Sequence, residues 1–249
     1  MIRVRNISKS FNGKIILNDI SVDFVHGKTN LIIGQSGSGK TVLLKSIVGL
    51  HDVDEGEIWF ENTLFNKLPF KDKKKIRSEI GMLFQGSALF DSLTVEQNVR
   101  FPLDMFTNKS IEEKTDRINF CLNRVNIINA NKLFPAELSG GMKKRVAIAR
   151  AIALNPKYLF CDEPNSGLDP VTAILIDNLI KEITEEYSMT TIVNTHDMNS
   201  VMEIGERVIF ISNGEICWEG SNNEILNSDC KPLNDFVFAN SMAKKLRSA

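Results

Sequence analysis

An α/β fold built around a mainly parallel sheet is predicted by three features of the chain. Short apolar runs alternate with helical patterns on either side of a long middle segment. Strands separated by helices pair in parallel and are covered on both faces. A glycine-rich octapeptide, residues 34–41, joins one such strand to a helical stretch. The middle segment, about residues 78–155, reads as mostly helical and so as an insertion into the α/β core.

Residues 2–7 alternate as a strand, and Asn12-Gly13 signals a turn before a second, irregular strand at 15–24. His26-Gly27-Lys28 turns the chain into a short apolar strand at 29–33, followed by a helix at 42–49 and a strand at 56–60. Ile111, Ile118, Leu122 and Val125 carry helical spacing. A further helix starts near Ser139 and stops before Pro156. Strands then follow at 158–161, 190–194 and 208–211, with a helix over 171–186 between the first two.

The chain of 249 residues is long enough for one large domain carrying a sub-domain. Hydrophobic residues make up 43% and charged residues 24%, which excludes a disordered chain. Lysine and arginine total 30 against 31 acidic residues, so no global field favours nucleic acid or an acidic membrane. No nucleic-acid partner is expected, and the basic run at 71–77 lacks interleaved aromatics. Cys121, Cys161, Cys217 and Cys230 have no metal-ligand spacing and read as reduced thiols of a cytosolic protein. The first ten residues carry no apolar core of a signal peptide, and no apolar run reaches the ~20 residues that span a bilayer.

Gly34-Gln35-Ser36-Gly37-Ser38-Gly39-Lys40-Thr41 fits GxxxxGK(S/T), and its strand-to-helix setting is the context that pattern requires. Glycines let the backbone curl around phosphates while successive N–H groups point inward at a helix start. Lys40 is placed to neutralise β/γ-phosphates, and the Thr41 hydroxyl to bind Mg2+. A plain Gly/Ser turn capping a helix leaves Lys40 and Thr41 without a purpose.

A buried strand next ends in Asp162-Glu163, at the edge of an open α/β sheet where ligands bind. Asp162 is placed to hold Mg2+ through water, and Glu163 to orient or deprotonate an attacking water. Alone, two acids after a strand are ordinary surface groups; behind a P-loop they are not. Ser139-Gly140-Gly141 caps a helix and exposes its first N–H groups, a second anion site.

With these three features the chain resembles an ABC-transporter nucleotide-binding domain over nearly its whole length. Leu138-Ser139-Gly140-Gly141-Met142 is similar to that family's signature, with Met142 in place of the usual Gln. The resemblance implies a P-loop NTPase core, an antiparallel β subdomain and an inserted α-helical subdomain, all in one ATP-binding domain. The core with its β subdomain would take about 1–80 and 156–230, the helical part about 81–155 and a tail about 231–249. It implies that Phe11 stacks on adenine, that Gln85 touches Mg2+ and links to a transmembrane subunit, and that 167–169 form the D-loop. It also implies that His196, after a strand, stands near the γ-phosphate; His26 and His51 read as surface residues.

ATP and Mg2+ are the implied ligands. The single P-loop and single signature imply an ATP-sandwich dimer with a second copy of the chain. Transmembrane permease subunits would hold it on the cytoplasmic face of the membrane. The stretch 84–95, FQGSALFDSLTV, is similar to the Q-loop region of ATPases serving MCE-domain lipid transporters, and Met142 and the stretch 161–170 point the same way. That resemblance implies phospholipid or hydrophobic-compound transport with an MCE protein as partner. The alternatives are an amino-acid or ion importer, or a non-transport ATPase of translation or DNA repair. Those non-transport proteins usually carry tandem cassettes or coiled-coil insertions, absent here. The tail over 233–246 is amphipathic and reads as a short docking helix.

Overall fold

A computed structural model describes residues 1–238. Two sheets organise them. The smaller has the strand order β2-β1-β4-β5, with β1 (Ile2–Phe11), β2 (Lys14–Phe24), β4 (Glu55–Phe60) and β5 (Thr63–Leu64) all antiparallel. The larger has the order β10-β9-β3-β8-β7-β6. In it β3 (Thr29–Ile33), β6 (Ile80–Leu83), β7 (Tyr158–Asp162), β8 (Thr190–Thr195) and β9 (Arg207–Ser212) are parallel. Only β10 (Glu215–Gly220), hairpinned through Asn213-Gly214, is antiparallel to its neighbour.

The central parallel strands β3, β7 and β8 are buried on both faces because alternate residues feed two different cores. Leu31, Leu159, Cys161, Val193, Val208 and Phe210 point into one. That core is closed by α3 (Val95–Phe106), α4 (Ile111–Arg124), α5 (Gly140–Ile152), α6 (Pro170–Glu186) and α7 (Met198–Ile204). Ile32, Phe160, Ile192 and Ile209 point into the other, against α1 (Lys40–Ile47) and the antiparallel sheet. Phe160 is fully buried there, and truncating such a side chain to alanine costs ~3–5 kcal/mol.

Helix starts follow local chemistry. Thr94 and Ser110 form capping boxes with Gln97 and Glu113, and Asp169 caps α6 through the Thr172 N–H at 3.0 Å. α2 (Phe70–Arg77) takes up the basic run and buries none of its residues.

The expectation of a mostly helical stretch from about residue 78 is corrected by β6. Four residues are too few to show a period of two, and the signal that places them is steric. A Cβ on Gly81 would lie 2.4 Å from the Ala151 carbonyl oxygen. Only glycine lets α5 lie this close to the strand. α1 also begins at Lys40, two residues before the expected helix. In the tail, α8 (Lys231–Val237) docks on its own chain, with Phe236 packed 5.6 Å from Phe210. Met242 and Leu246 lie outside the described residues. No helix among the described residues is long and apolar enough to cross a membrane.

Candidate active site

β3, β7 and β8 end side by side, so the loops following them converge. The loop after β3 is the P-loop. Gly34 and Gly39 have φ of 151° and 107°, and a Cβ on Gly34 would lie 2.2 Å from the Ile211 carbonyl oxygen. A Cβ on Gly39 would meet the Ile16 carbonyl at 2.9 Å. Glycine is therefore needed at both positions for the turn to fit between β9 of the larger sheet and β2 of the antiparallel sheet.

The loop is built for an anion. Gly39 is the N-cap of α1 yet offers no side-chain acceptor, so the first N–H groups of the helix remain for a ligand. Ser38 Oγ is buried without a partner. Lys40 is 5% exposed as a residue, and its ammonium rests on the carbonyls of Gly34 and Gln35 at 2.9 and 3.0 Å. Burial lowers its pKa, and Glu163 and Asp162 oppose that shift. These donors fit a polyphosphate.

Beside it, Thr41 Oγ1 donates to Asp162 Oδ1 at 3.0 Å, and Asn194 Nδ2 donates to the same oxygen at 3.1 Å. Glu163 follows with φ 48°, a left-handed conformation that costs a non-glycine residue ~1–3 kcal/mol. Its N–H is held by the Asn194 carbonyl at 3.0 Å. Its carboxylate takes Gln85 Nε2 at 2.9 Å on one oxygen and meets His196 Nδ1 at 3.1 Å on the other. Two contacts fix the carboxylate toward the P-loop, where it can accept a proton from water.

No group of three or more His, Cys, Asp or Glu that could hold a metal occurs among the described residues. Mg2+ keeps several waters, takes phosphate oxygens and needs only one or two protein carboxylates. The Thr41 hydroxyl, the Gln85 amide and the Asp162 carboxylate supply hard oxygen donors of that kind.

Phe11, Gln35, Ser36, Gly37, Gly39, Lys40, Thr41, Gln85, Glu163 and His196 line one cleft of about 830 Å³. Phe11 is 40% exposed, steadied edge-on by His51 at 5.4 Å and by Lys9 over its ring. His51, expected as a plain surface residue, thus supports this wall. Ser139, Gly140 and Gly141 are elsewhere, lining a separate cleft of about 620 Å³ with residues 167–169. A Cβ on Gly141 would lie 2.7 Å from Thr172 Cγ2, so the starts of α5 and α6 nearly touch. Met142 packs against the core, and its N–H donates to Ser139 Oγ at 3.2 Å.

Sequence reasoning missed Asn194, Phe236 and Lys144. Asn194 looks like an ordinary strand residue until its neighbour Asp162 is placed. Phe236, on α8, lines the same cleft. Lys144 belongs to the basic stretch Lys143-Lys144-Arg145 that follows the signature, yet it is 4% exposed.

The ABC transporter family model matches residues 17–166, more than half of the chain. The chain belongs to the ABC transporter ATP-binding family. Among relatives, the cassette is 35% identical to the methionine import ATP-binding protein MetN of Campylobacter jejuni, covering 95% of this chain and 75% of that one. It is 34% identical to the probable ribonucleotide transport ATP-binding protein mkl of Mycobacterium leprae, covering 95% and 68%. The dimeric structure of the bacterial cassette MJ0796 superposes with a TM-score of 0.82 at 35% identity, over 89% of this chain and 99% of that one. A structure of MJ0796 with ADP and Pi gives a TM-score of 0.81 at 35% identity over the same shares. The cbiO1 subunit of a Clostridium perfringens transporter complex gives 0.84 at 28% identity, over 98% of each chain. The cassette is thus an ABC-fold ATPase that uses ATP with Mg2+.

Proposed function

We propose that this cassette powers movement of phospholipid or another hydrophobic compound across the cell envelope. It works as an ATP-sandwich dimer docked on permease subunits at the cytoplasmic face, with an MCE-domain lipid-binding protein as a further partner. The observation that carries the substrate is the stretch 84–95, similar to the Q-loop region of ATPases serving MCE transporters.

The side chains have these roles. Phe11 stacks on adenine, and its exposure favours a ligand over a core role. The backbone of Gly34, Gln35, Ser36, Gly37, Ser38 and Gly39 cradles the phosphates. Lys40 leaves its two carbonyls for the β/γ-phosphates. Thr41, Gln85 and, through water, Asp162 would hold Mg2+, which when bound neutralises phosphate charge. Glu163 orients and deprotonates the attacking water, and His196 steadies Glu163 and the γ-phosphate. Ser139, Gly140 and Gly141 close over the P-loop of the second copy. Their separation from the chain's own P-loop supports that composite site. Nucleotide then drives a shift between open and closed dimers.

A second reading, an importer of amino acids, is favoured by the relatives named for methionine import. Purification of the complex from membranes, with identification of its subunits and bound small molecules, separates the two. An MCE protein with bound lipid is the expected result. A complex without an MCE protein overturns the lipid reading, and bound methionine would favour the second.

A further inference from the structure

The loop leaving β6 carries Gln85 and then turns through two unusual residues. Ser87 and Ala88 have φ of 63° and 47°, and neither is glycine. Ser87 is also 4% exposed, so water cannot satisfy the buried part of this turn. The left-handed conformation is costly for such residues and persists only when the surroundings impose it.

What imposes it is α5. Arg150 Nη1 donates to the Ala88 carbonyl at 2.7 Å and Nη2 to the Ser87 carbonyl at 2.8 Å. One planar guanidinium thus grips both strained residues, a geometry that lysine cannot copy. Six residues earlier on the same helix, Lys144 Nζ donates to the Gln85 carbonyl and, at 3.4 Å, to the Glu163 carbonyl. Glu163 is the third left-handed residue of this region. Among the described residues Lys144 forms no salt bridge, and it is almost fully buried. A buried ammonium is expensive unless it is paired or hydrogen-bonded, and the Gln85 and Glu163 carbonyls are the acceptors that Lys144 has here. Burial lowers the pKa of Lys144.

We propose that Lys144 and Arg150 are positioning residues through which the signature helix clamps residues 85–88 and the Glu163 backbone, and so sets the Gln85–Glu163 contact. This rests on the assignment of Glu163 as the hydrolytic base. The basic run after the signature thus holds one buried clamp residue, Lys144, between the half-buried Lys143 and Arg145, and Arg145 donates to the Asn126 carbonyl at 2.9 Å.

The test is steady-state ATPase kinetics on the full chain. Arg150→Ala should lower kcat by about tenfold or more while leaving KM for ATP within about threefold, because the P-loop is untouched. Adding Ser87→Gly and Ala88→Gly should restore at least half of that loss, since glycine needs no clamp to hold a positive φ. Loss of packing at Arg150 would not be repaired from the loop. Should Arg150→Ala fail to fold, Arg150→Lys is compared with and without the two glycine changes. A smaller loss in the glycine background supports the clamp. Equal loss in both backgrounds, or unchanged kcat in folded Arg150→Ala, overturns it. Glu163→Gln run in parallel separates the two ideas: if it hydrolyses ATP normally, the assignment of Glu163 fails rather than the clamp.

Discussion

Thr41 Oγ1 lies 3.0 Å from Asp162 Oδ1, although the two residues are 121 positions apart in the chain. The contact joins the start of α1 to the end of β7, two elements placed side by side by parallel pairing through β8. In the proposed mechanism both oxygens turn to Mg2+. Thr41→Val removes one of them with little change in volume. Mg2+ titrations of ATPase activity should show the half-saturating concentration raised by about tenfold or more. An unchanged Mg2+ requirement would remove Thr41 from the metal site.

Gly39→Ala tests the P-loop as backbone architecture. Its φ of 107° and the 2.9 Å approach to the Ile16 carbonyl leave no room for a methyl group. The chain should lose roughly 2–4 kcal/mol in urea denaturation and bind ATP poorly. Wild-type stability in the variant would show that the loop relaxes without cost.

Phe11→Ala should act on binding rather than folding. The ring is 40% exposed, so little core is lost, while a stacked base contributes on the order of 1–3 kcal/mol. KM for ATP should rise about tenfold or more with Tm nearly unchanged, and Phe11→Trp should retain binding. A drop in Tm without a change in KM would make Phe11 a structural residue.

Asp177 gives a pH dependence of stability. It is 2% exposed on α6, facing Asn165 and Ser200, with the Asp197 and Glu203 carboxylates nearby. Burial pushes its pKa up from 3.8 to about 6. A raised carboxylate pKa means that the folded state binds the proton more tightly. The stability is therefore fully present below 3.8 and is lost as pH rises through about 6. Asp177→Asn should stabilise the chain by up to roughly 3 kcal/mol at neutral pH, with a smaller gain at lower pH. Urea denaturation at pH 7.5 and pH 5 checks the sign. A loss of stability at pH 7.5, or an equal gain at both, would contradict the assignment.

The α/β fold with a parallel sheet was legible because β3, β7 and β8 each carry a short apolar run, Leu31 to Ile33, Tyr158 to Cys161 and Ile192-Val193, with helical patterns between them. The P-loop was legible because phosphate binding needs glycines, Lys40 and Thr41 at fixed offsets. β6 was not, since its only marker is Gly81 and the contact with Ala151 exists only after folding. Lys144 was misleading for a related reason. Charge in a basic run reads as solvated, and only the packing of α5 against the loop after β6 shows which lysine is buried. The separation of Ser139, Gly140 and Gly141 from the chain's own P-loop is a three-dimensional fact, although the single copy of each motif had already implied a partner.

In the proposed function this chain hydrolyses ATP in a composite site completed by a second copy, with Glu163 as base. The most direct measurement is the mass of Glu163→Gln in solution, with and without Mg-ATP, beside its ATPase rate. The account predicts a hydrolysis rate lowered by about a hundredfold or more and a shift from monomer to dimer on adding Mg-ATP. That shift should vanish when Gly141 is replaced by a bulky residue. A monomeric Glu163→Gln chain that still turns over ATP at the wild-type rate would contradict it.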